Sequence, residues 1–179
     1  MRISSKNLKR AVFLDRDGTI LVFVNELIKK SQIRFYRNSI LAIKKLNELG
    51  YLCIVVTNQP IIGKGVITKK RADELNKIMK EKLQKWGARI DAVYMCPHRY
   101  PSDCFCRKPE IGMLLQAQEK FKIDFKKSFV VGDDQRDIEM GRRAKIKTIL
   151  VRTGKAGKVK RFFNAKPDYI VKDLIEAAK

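Results

Sequence analysis

The stretch Ala11-Val12-Phe13-Leu14-Asp15-Arg16-Asp17-Gly18-Thr19 decides the fold. Its first four residues predict a short buried strand, and the polar turn after them carries two aspartates. Similar apolar runs follow at residues 52–56, 92–94, 129–131, 148–151 and 169–171, and they alternate with segments of helical period at 39–49, 68–86, 111–121 and 137–144. This alternation predicts an α/β fold, a doubly wound parallel sheet between two layers of helices.

Length and composition predict one domain. With 179 residues, 45% of them hydrophobic, the chain is large enough to build a single core, so we expect one domain over residues 1–179. No apolar run approaches the roughly 20 residues of a membrane span, and we expect neither membrane insertion nor export. We expect Trp86, at the end of a predicted helix, to be a packing residue. The expected location is the cytoplasm.

The net charge of +21 favours anionic partners. The basic residues are scattered in short groups at 29–30, 69–71, 126–127, 142–143 and 158–161, without interleaved aromatic residues. Solvated basic faces therefore explain the charge better than a nucleic-acid site does. A small phosphorylated metabolite is the expected partner, and a nucleic acid ranks last.

Polar residues follow four of the predicted strands where each one ends. Asp15 follows the first strand, Thr57 and Asn58 the second, Cys96 the third and Asp133 the fourth. In an open parallel sheet the ligand crevice lies beyond the carboxyl ends of the strands. We therefore expect these side chains to converge on one site.

The two aspartates of the first turn indicate phosphoryl chemistry. Asp15 is the candidate nucleophile that forms an aspartyl phosphate, and Asp17 is the candidate acid and base. Two carboxylates beside a phosphate need a hard cation, so we expect Mg²⁺, and Gly18 would permit the tight turn. The alternative is an ordinary Asp-rich turn that caps a strand.

Further candidates complete this site. Thr57 and Asn58 could hold a phosphoryl oxygen, or could belong to an ordinary turn or helix cap. Lys108 would neutralise phosphate charge, and Arg107 could bind an anion with two hydrogen bonds. Asp133 is the remaining candidate metal ligand. Asp134 and Asp137 could bind through water, orient Lys108, or serve only as acids at a helix start.

The loop at residues 96–106 has the composition of a zinc site. Cys96, Cys104 and Cys106 lie close in sequence to the chain's only histidine, His98. Three thiolates and one imidazole are the ligand set of a closed tetrahedral site, which leaves no open position for substrate, so the Zn²⁺ would be structural. Free thiols with an incidental histidine are the alternative.

The ordered motifs resemble a known family. The segments Asp15-Arg16-Asp17-Gly18-Thr19, Thr57-Asn58-Gln59, Arg107-Lys108-Pro109 and Gly132-Asp133, with the cysteine loop, are similar to the histidinol-phosphate and heptose-bisphosphate phosphatases of the haloacid dehalogenase superfamily. The resemblance implies a Rossmann-like fold and Mg²⁺ held by Asp15, the Asp17 carbonyl and Asp133. It also implies phosphoryl contacts from Thr57 and Lys108, recognition by Arg107, and Zn²⁺ in the cysteine loop.

Within that branch, residues 151–155 and 112–114 resemble enzymes that remove the 7-phosphate of D-glycero-D-manno-heptose 1,7-bisphosphate during the synthesis of lipopolysaccharide core or other surface glycans. The five-residue spacer between His98 and Cys104 instead resembles histidinol-phosphate phosphatases, which are the first alternative. A nucleic-acid 3′-phosphatase or binder is the second.

The expected substrate-binding residues are Asn58, Gln59, Lys64, Arg107 and Lys108. Lys64 stands where the heptose enzymes usually carry arginine, so the charge is kept but the two-pronged guanidinium is lost. Ile111 replaces the proline that is common after Arg-Lys-Pro in these enzymes. Asp134 is an acid at a position where they often have none. With little capping structure beyond the cysteine loop, the chain is expected to be an open-clefted monomer.

Overall fold

A computed structural model of the chain describes residues 8–155 and 165–179; the basic group at 158–161 lies outside them. Six strands alternate with helices along the chain. The strands are β1 Ala11–Leu14, β2 Leu52–Asn58, β3 Ala92–Cys96, β4 Phe129–Gly132, β5 Lys147–Val151 and β6 Tyr169–Val171. The helices are α1 Ser39–Glu48, α2 Pro60–Gly63, α3 Lys69–Gln84, α4 Gly112–Phe121, α5 Gln135–Arg143 and α6 Leu174–Ala177, with short 3-10 turns at Lys30–Gln32 and Phe125–Lys127.

The six strands form one parallel sheet in the order β3-β2-β1-β4-β5-β6. The chain begins at the centre, moves to one edge, and then returns to build the other half from β4 outward. This order confirms the doubly wound, Rossmann-like α/β prediction, and it puts the topological switch point between β1 and β4, where ligands bind in such sheets.

Both faces of the central strand are covered, which explains why β1 is apolar throughout. Val12 and Leu14 of β1 face a core shared with α1 and α3, whereas Ala11 and Phe13 face a second core that includes α4. All four residues of β1 are buried. The central strand is thereby fixed on both sides, and so is the turn that leaves it.

The sequence pattern missed some boundaries. It did not predict α2 and α6, since each has only four residues and one helical turn shows no period. Helix α5 begins two residues before the predicted start because the Asp134 side chain caps it. The prediction that Trp86 is a packing residue is wrong, since 71% of it is exposed beyond the end of α3.

Among residues 8–155 and 165–179, none of the helices is both long enough and apolar enough to cross a membrane.

Candidate active site

Two neighbouring strands end in aspartates at the switch point. Asp15 follows β1, where its backbone N–H donates to the Val131 carbonyl at 2.9 Å, and Asp133 follows β4. Asp137, on the first turn of α5, points to the same place. A carboxylate oxygen from each of the three lies within 4.8 Å of the others, and all three residues are buried. The predicted convergence of Asp15 and Asp133 is present in the structure.

Lys108 balances part of this negative charge. Its ammonium donates to Asp15 Oδ1 at 2.5 Å, to Asp137 Oδ1 at 2.6 Å and to the Val56 carbonyl at 3.0 Å, so all three of its donors are used. Only 5% of the residue is exposed. Burial lowers the pKa of Lys108, but the Asp137 and Asp15 carboxylates outweigh it and the net pKa is raised. The ammonium stays charged.

The carboxylates outnumber this single cation. Burial, followed by the charges of Asp15 and Asp137, raises the pKa of Asp133 to about 8. Burial also raises the pKa of Asp137 to about 7, although Lys108 opposes the shift. A hard divalent cation bound by oxygen ligands would relieve this repulsion. The donor set and its uncompensated charge therefore fit the predicted Mg²⁺.

Gly18 allows the turn to pass close to the Asp133 carboxylate. Its φ of +103° lies in the region that favours glycine, and a Cβ there would come within 2.3 Å of Asp133 Oδ2. The Thr153 hydroxyl donates to the Gly18 carbonyl at 2.6 Å and ties the turn to the segment after β5. The tight turn predicted at this glycine is present.

Asp17 lies at the edge of the cleft and is more accessible than Asp15. Its side chain is 17% exposed. Arg16 contacts both of its carboxylate oxygens, and the Gln59 amide donates to Oδ2 at 2.8 Å. The same Gln59 nitrogen lies 3.0 Å from the Thr57 hydroxyl. Gln59, predicted to bind substrate, thus connects Asp17 to Thr57.

The side-chain amide of Asn58 is hydrogen-bonded to the backbone of Lys108. Its amide nitrogen donates to the Lys108 carbonyl at 3.1 Å, and its oxygen accepts the Lys108 N–H at 2.9 Å. Its role as a substrate ligand stays a prediction, because here both ends of the amide hold the segment that carries the lysine. Thr57 is 1% exposed and lines the cleft, and its hydroxyl hydrogen can point to a phosphoryl oxygen.

The acids and Lys108 lie in an open cleft of about 280 Å³. Lys64, next to α2, is exposed at its rim. Arg107 lies at another part of the wall, where it donates to the His98 carbonyl at 2.8 Å. A further part of the wall comes from the segment after the first turn, at residues 23–27, where Asn25 and Glu26 line the cleft together with three apolar residues.

Asp134 belongs to an ion-paired group in the same wall. Arg136 binds both of its carboxylate oxygens, at 2.9 and 2.7 Å, and the Lys155 ammonium lies 3.3 Å away. Burial raises the pKa of Asp134, but the Arg136 hydrogen bonds outweigh it and the net pKa is lowered. Asp134 also accepts the Arg136 N–H as the cap of α5.

The cysteine loop has the dimensions of a tetrahedral metal site. The Cys96 and Cys104 sulfurs are 3.7 Å apart, and His98 Nδ1 lies 3.5 Å from Cys96 Sγ and 3.3 Å from Cys106 Sγ. The sulfurs of a tetrahedral Zn²⁺ site with Zn–S bonds of ~2.3 Å are roughly 3.8 Å apart. One atom from each of the four predicted ligands lies within 4.8 Å of the others.

Burial and contacts within the loop shift the pKa values of its thiols. Burial raises the pKa of Cys96. At Cys104 burial also acts upward, but hydrogen bonds from Ser102 and Cys96 outweigh it and lower the pKa to about 6. None of the four cysteines forms a disulfide. The predicted ligands are therefore free and close enough together to share one ion.

Comparison with known proteins identifies the family. A family model described as HAD-hydrolase-like matches residues 105–177. The D-glycero-beta-D-manno-heptose-1,7-bisphosphate 7-phosphatase of Pasteurella multocida is 42% identical over 155 residues, which cover 83% of this chain and 84% of that protein. The chain belongs to the heptose-bisphosphate phosphatase family of HAD-like hydrolases.

Other members of the heptose-bisphosphate phosphatase family extend this similarity. A Photorhabdus laumondii relative, named for the alpha anomer of the same heptose bisphosphate, is 40% identical over 157 residues, covering 83% of this chain and 85% of that protein. The crystal structure of D,D-heptose 1,7-bisphosphate phosphatase from B. bronchiseptica, complexed with magnesium and phosphate, superimposes with a TM-score of 0.86 at 27% identity and covers 94% of this chain and 96% of that one.

Sequence reasoning did not identify four side chains of this heptose-bisphosphate phosphatase family member. They are Arg16, Asn76, Arg136 and Lys155, which contact Asp17, Arg16 and Asp134. Lys155 follows β5 at the carboxyl edge of the sheet, so the rule that located Asp133 could have located it. Asn76 lies in the middle of α3 and no local pattern marks it.

Proposed function

We propose that this chain hydrolyses the 7-phosphate of D-glycero-D-manno-heptose 1,7-bisphosphate in a magnesium-dependent reaction. The observation that carries the proposal is the placement of Asp15 beside Lys108 and Asp133 at the switch point of a chain from this family. A buried carboxylate next to a permanently charged lysine at the base of an open cleft suits nucleophilic attack on a phosphoryl group.

In the first step a carboxylate oxygen of Asp15 forms a bond to phosphorus while the bond between phosphorus and the sugar oxygen breaks. Asp17 gives its proton to the leaving oxygen, so the sugar departs as an alcohol. In the second step water attacks phosphorus and transfers a proton to Asp17, and the acyl-phosphate bond breaks. Inorganic phosphate leaves, and both aspartates return to their initial states.

Two groups bind the phosphoryl oxygens during both steps. Lys108 supplies a positive charge that is already desolvated and oriented by Asp137, so little reorganisation accompanies charge movement. The Thr57 hydroxyl donates from the end of β2. Since Lys108 bonds to Asp15 in the substrate-free protein, one of its N–H groups would turn from Asp15 to phosphate.

Asp15, Asp133 and the main-chain carbonyl of Asp17 would hold Mg²⁺. The family resemblance supports this set, and the raised pKa of Asp133 supports a cation at this position. When bound, Mg²⁺ supplies charge that lets the phosphate approach the carboxylates. Asp137 is the third acid of the group, but its Oδ1 is bonded to Lys108 and its Oδ2 accepts the Asp134 N–H, which favours an orienting role.

The rim residues would recognise the rest of the substrate. Lys64 and Arg107 place two cations at the cleft entrance, which suits a sugar with a second phosphate better than a cationic amine. Gln59 and Asn58 would act inside the cleft. The Gln59 amide lies beside Asp17, and Asn58 holds the backbone of Lys108. The positive charges of Lys64 and Arg107 support a bisphosphate rather than histidinol phosphate as the substrate.

The cysteine loop would carry a structural Zn²⁺ on Cys96, His98, Cys104 and Cys106. All four ligand positions of a tetrahedron are then filled by protein, so the ion would order the loop and take no part in the reaction. Arg107 bonds to the His98 carbonyl, which connects this order directly to the cleft.

We further propose a monomeric, single-domain, cytoplasmic enzyme. The continuous sheet and its two cores support one domain, and four unpaired thiols suit a reducing compartment. Sedimentation at several protein concentrations measures the oligomeric state; a stable dimer at micromolar concentration contradicts the monomer.

The test of the reaction is phosphate release, with Mg²⁺, from heptose 1,7-bisphosphate of either anomer, histidinol phosphate and a 3′-phosphorylated oligonucleotide. Asp15→Asn should abolish release, whereas the matched variant Asp73→Asn, on the exposed face of α3, should behave as the parent. We expect the bisphosphate to be preferred by more than tenfold, or about 1.4 kcal/mol. A preference of that size for another substrate overturns the substrate assignment, and full activity of Asp15→Asn overturns the mechanism.

A further inference from the structure

Arg16 is a deeply buried charged residue next to the reacting groups, with 1% of it exposed. It stands between Asp15 and Asp17 in the sequence, yet its side chain is 2% exposed while that of Asp17 is 17% exposed. A guanidinium keeps its charge in proteins, so burial requires that it be paired and its donors satisfied. The proposed reaction gives Arg16 no role, but the hydrogen-bond partners of Arg16 indicate one.

The guanidinium binds the acid and base carboxylate with two parallel hydrogen bonds. Arg16 Nε donates to Asp17 Oδ1 at 3.0 Å, and Nη2 donates to Asp17 Oδ2 at 2.7 Å. This two-pronged geometry fixes both the position and the plane of a carboxylate. Asp17 follows Arg16 directly in the chain, so the pair moves with the turn that leaves β1.

The third nitrogen of the guanidinium, Nη1, is held by a residue outside the turn. Arg16 Nη1 donates to Asn76 Oδ1 at 2.8 Å. Asn76 lies in the middle of α3 and is 6% exposed, and its amide nitrogen is 3.9 Å from the Met95 sulfur on β3. A packed helix thus holds the guanidinium, and the guanidinium holds Asp17. Sixty residues of sequence separate the two ends of this contact.

The arrangement restrains the carboxylate from two sides. Gln59 donates to Asp17 Oδ2 from the end of β2, so both oxygens are hydrogen-bonded. A carboxylate that must give a proton to a leaving oxygen and then take one from water needs a fixed position, since a displacement of ~1 Å can cost roughly 100-fold in rate. Without the hydrogen bond from Arg16 Nη1 to Asn76, the guanidinium and the Asp17 carboxylate could move together.

We propose that Arg16, braced by Asn76 of α3, is a positioning residue that sets the orientation of the Asp17 carboxylate for proton transfer to the leaving group. The inference rests on the proposed role of Asp17 as acid and base. It extends the site to a helix whose side chains do not contact the reacting atoms.

The test replaces Asn76, which leaves every residue of the cleft in place. For Asn76→Ala we expect kcat to fall about tenfold on the alkyl phosphate that the parent cleaves fastest, with KM and the Mg²⁺ requirement changed less than about twofold. Asn76→Asp keeps an oxygen acceptor for Arg16 and should retain most of the activity. Asn47→Ala, which removes a half-buried asparagine bonded to the Arg89 backbone, is the matched control for lost stability.

Leaving-group dependence separates positioning from a general structural effect. The p-nitrophenolate of p-nitrophenyl phosphate departs without a proton, so in the first turnover, before water attacks the aspartyl phosphate, Asn76→Ala should slow its release much less than release of an alkanol. Equal losses on both substrates, a loss in KM alone, or a tenfold loss in Asn47→Ala would each overturn the inference. If Asp15→Asn remains active, the proposed reaction itself fails; if only the Asn76 pattern is absent, the reaction stands and the positioning role does not.

Discussion

Replacement of Asp133 by asparagine should make the metal-free protein more stable while removing its response to Mg²⁺. Asp133 is 1% exposed and its Oδ2 accepts the Lys155 N–H at 2.6 Å. Burial and the nearby Asp15 and Asp137 raise its pKa to about 8. An asparagine oxygen can still accept from Lys155, whereas the amide nitrogen can donate to a neighbouring carboxylate.

The sign follows from proton linkage. The folded protein holds the Asp133 proton up to about pH 8, whereas the unfolded chain releases it near pH 4. Between these values the folded state binds more protons, so this group lowers stability as the pH rises. At about 1.4 kcal/mol per pKa unit the cost reaches at most about 6 kcal/mol near pH 8.5, and relaxation around the ion reduces it. We expect Asp133→Asn to gain about 2–5 kcal/mol there.

Urea unfolding measures both effects. The proteins are dialysed free of Mg²⁺ without a chelator, because a chelator would also remove Zn²⁺ from the cysteine loop. The gain should be present at about pH 8.5 and nearly absent at about pH 4.5, where the carboxylate of the parent is protonated in the folded protein. Added Mg²⁺ should then stabilise the parent alone. A variant that is less stable than the parent at the higher pH, or that is equally stabilised by Mg²⁺, refutes the reasoning.

Three other substitutions probe neighbouring parts of the site. Lys108→Met leaves the Asp15 and Asp137 carboxylates buried without their ammonium, so urea unfolding should show a loss of about 3–5 kcal/mol; unchanged stability contradicts the buried ion pairs. Elemental analysis should find Zn²⁺ in the parent and none in Cys106→Ser, and retention of the metal by the variant would exclude this sulfur as a ligand. Gly18→Ala must adopt a φ of +103° and should lose about 1–3 kcal/mol together with phosphate release, which a fully active variant would contradict.

The doubly wound class of the sheet and the location of its acids could be predicted because both depend on local signals. Continuous apolar runs mark strands covered on both faces, and the carboxyl ends of parallel strands share one edge. Asp15 and Asp133 therefore meet although 118 residues separate them in the sequence. The four zinc-ligand candidates lie within eleven residues, and a single loop brings them together.

Other contacts depend on distances that no local pattern carries. Asn58 looked like a phosphate ligand from its place at a strand end, but the neighbouring lysine segment occupies both ends of its amide. Asn76 carries no signal in the sequence, and only the packing of α3 brings it onto Arg16, 60 residues away. The sequence shows which atoms a side chain offers, whereas the packing of separate elements decides which partner uses them.

The packing of the cysteine loop affects the reaction, because the loop leads directly into the segment that carries Lys108. Arg107 bonds to the His98 carbonyl, and the Gly112 N–H donates to the Phe105 carbonyl at 2.9 Å, so the loop is held on both sides of the lysine. The ammonium has little freedom, since it must meet two buried carboxylates at once. Loss of Zn²⁺ should therefore act on the reaction through the position of this lysine, and the affinity for Mg²⁺, whose proposed ligands follow β1 and β4, should change less than the rate.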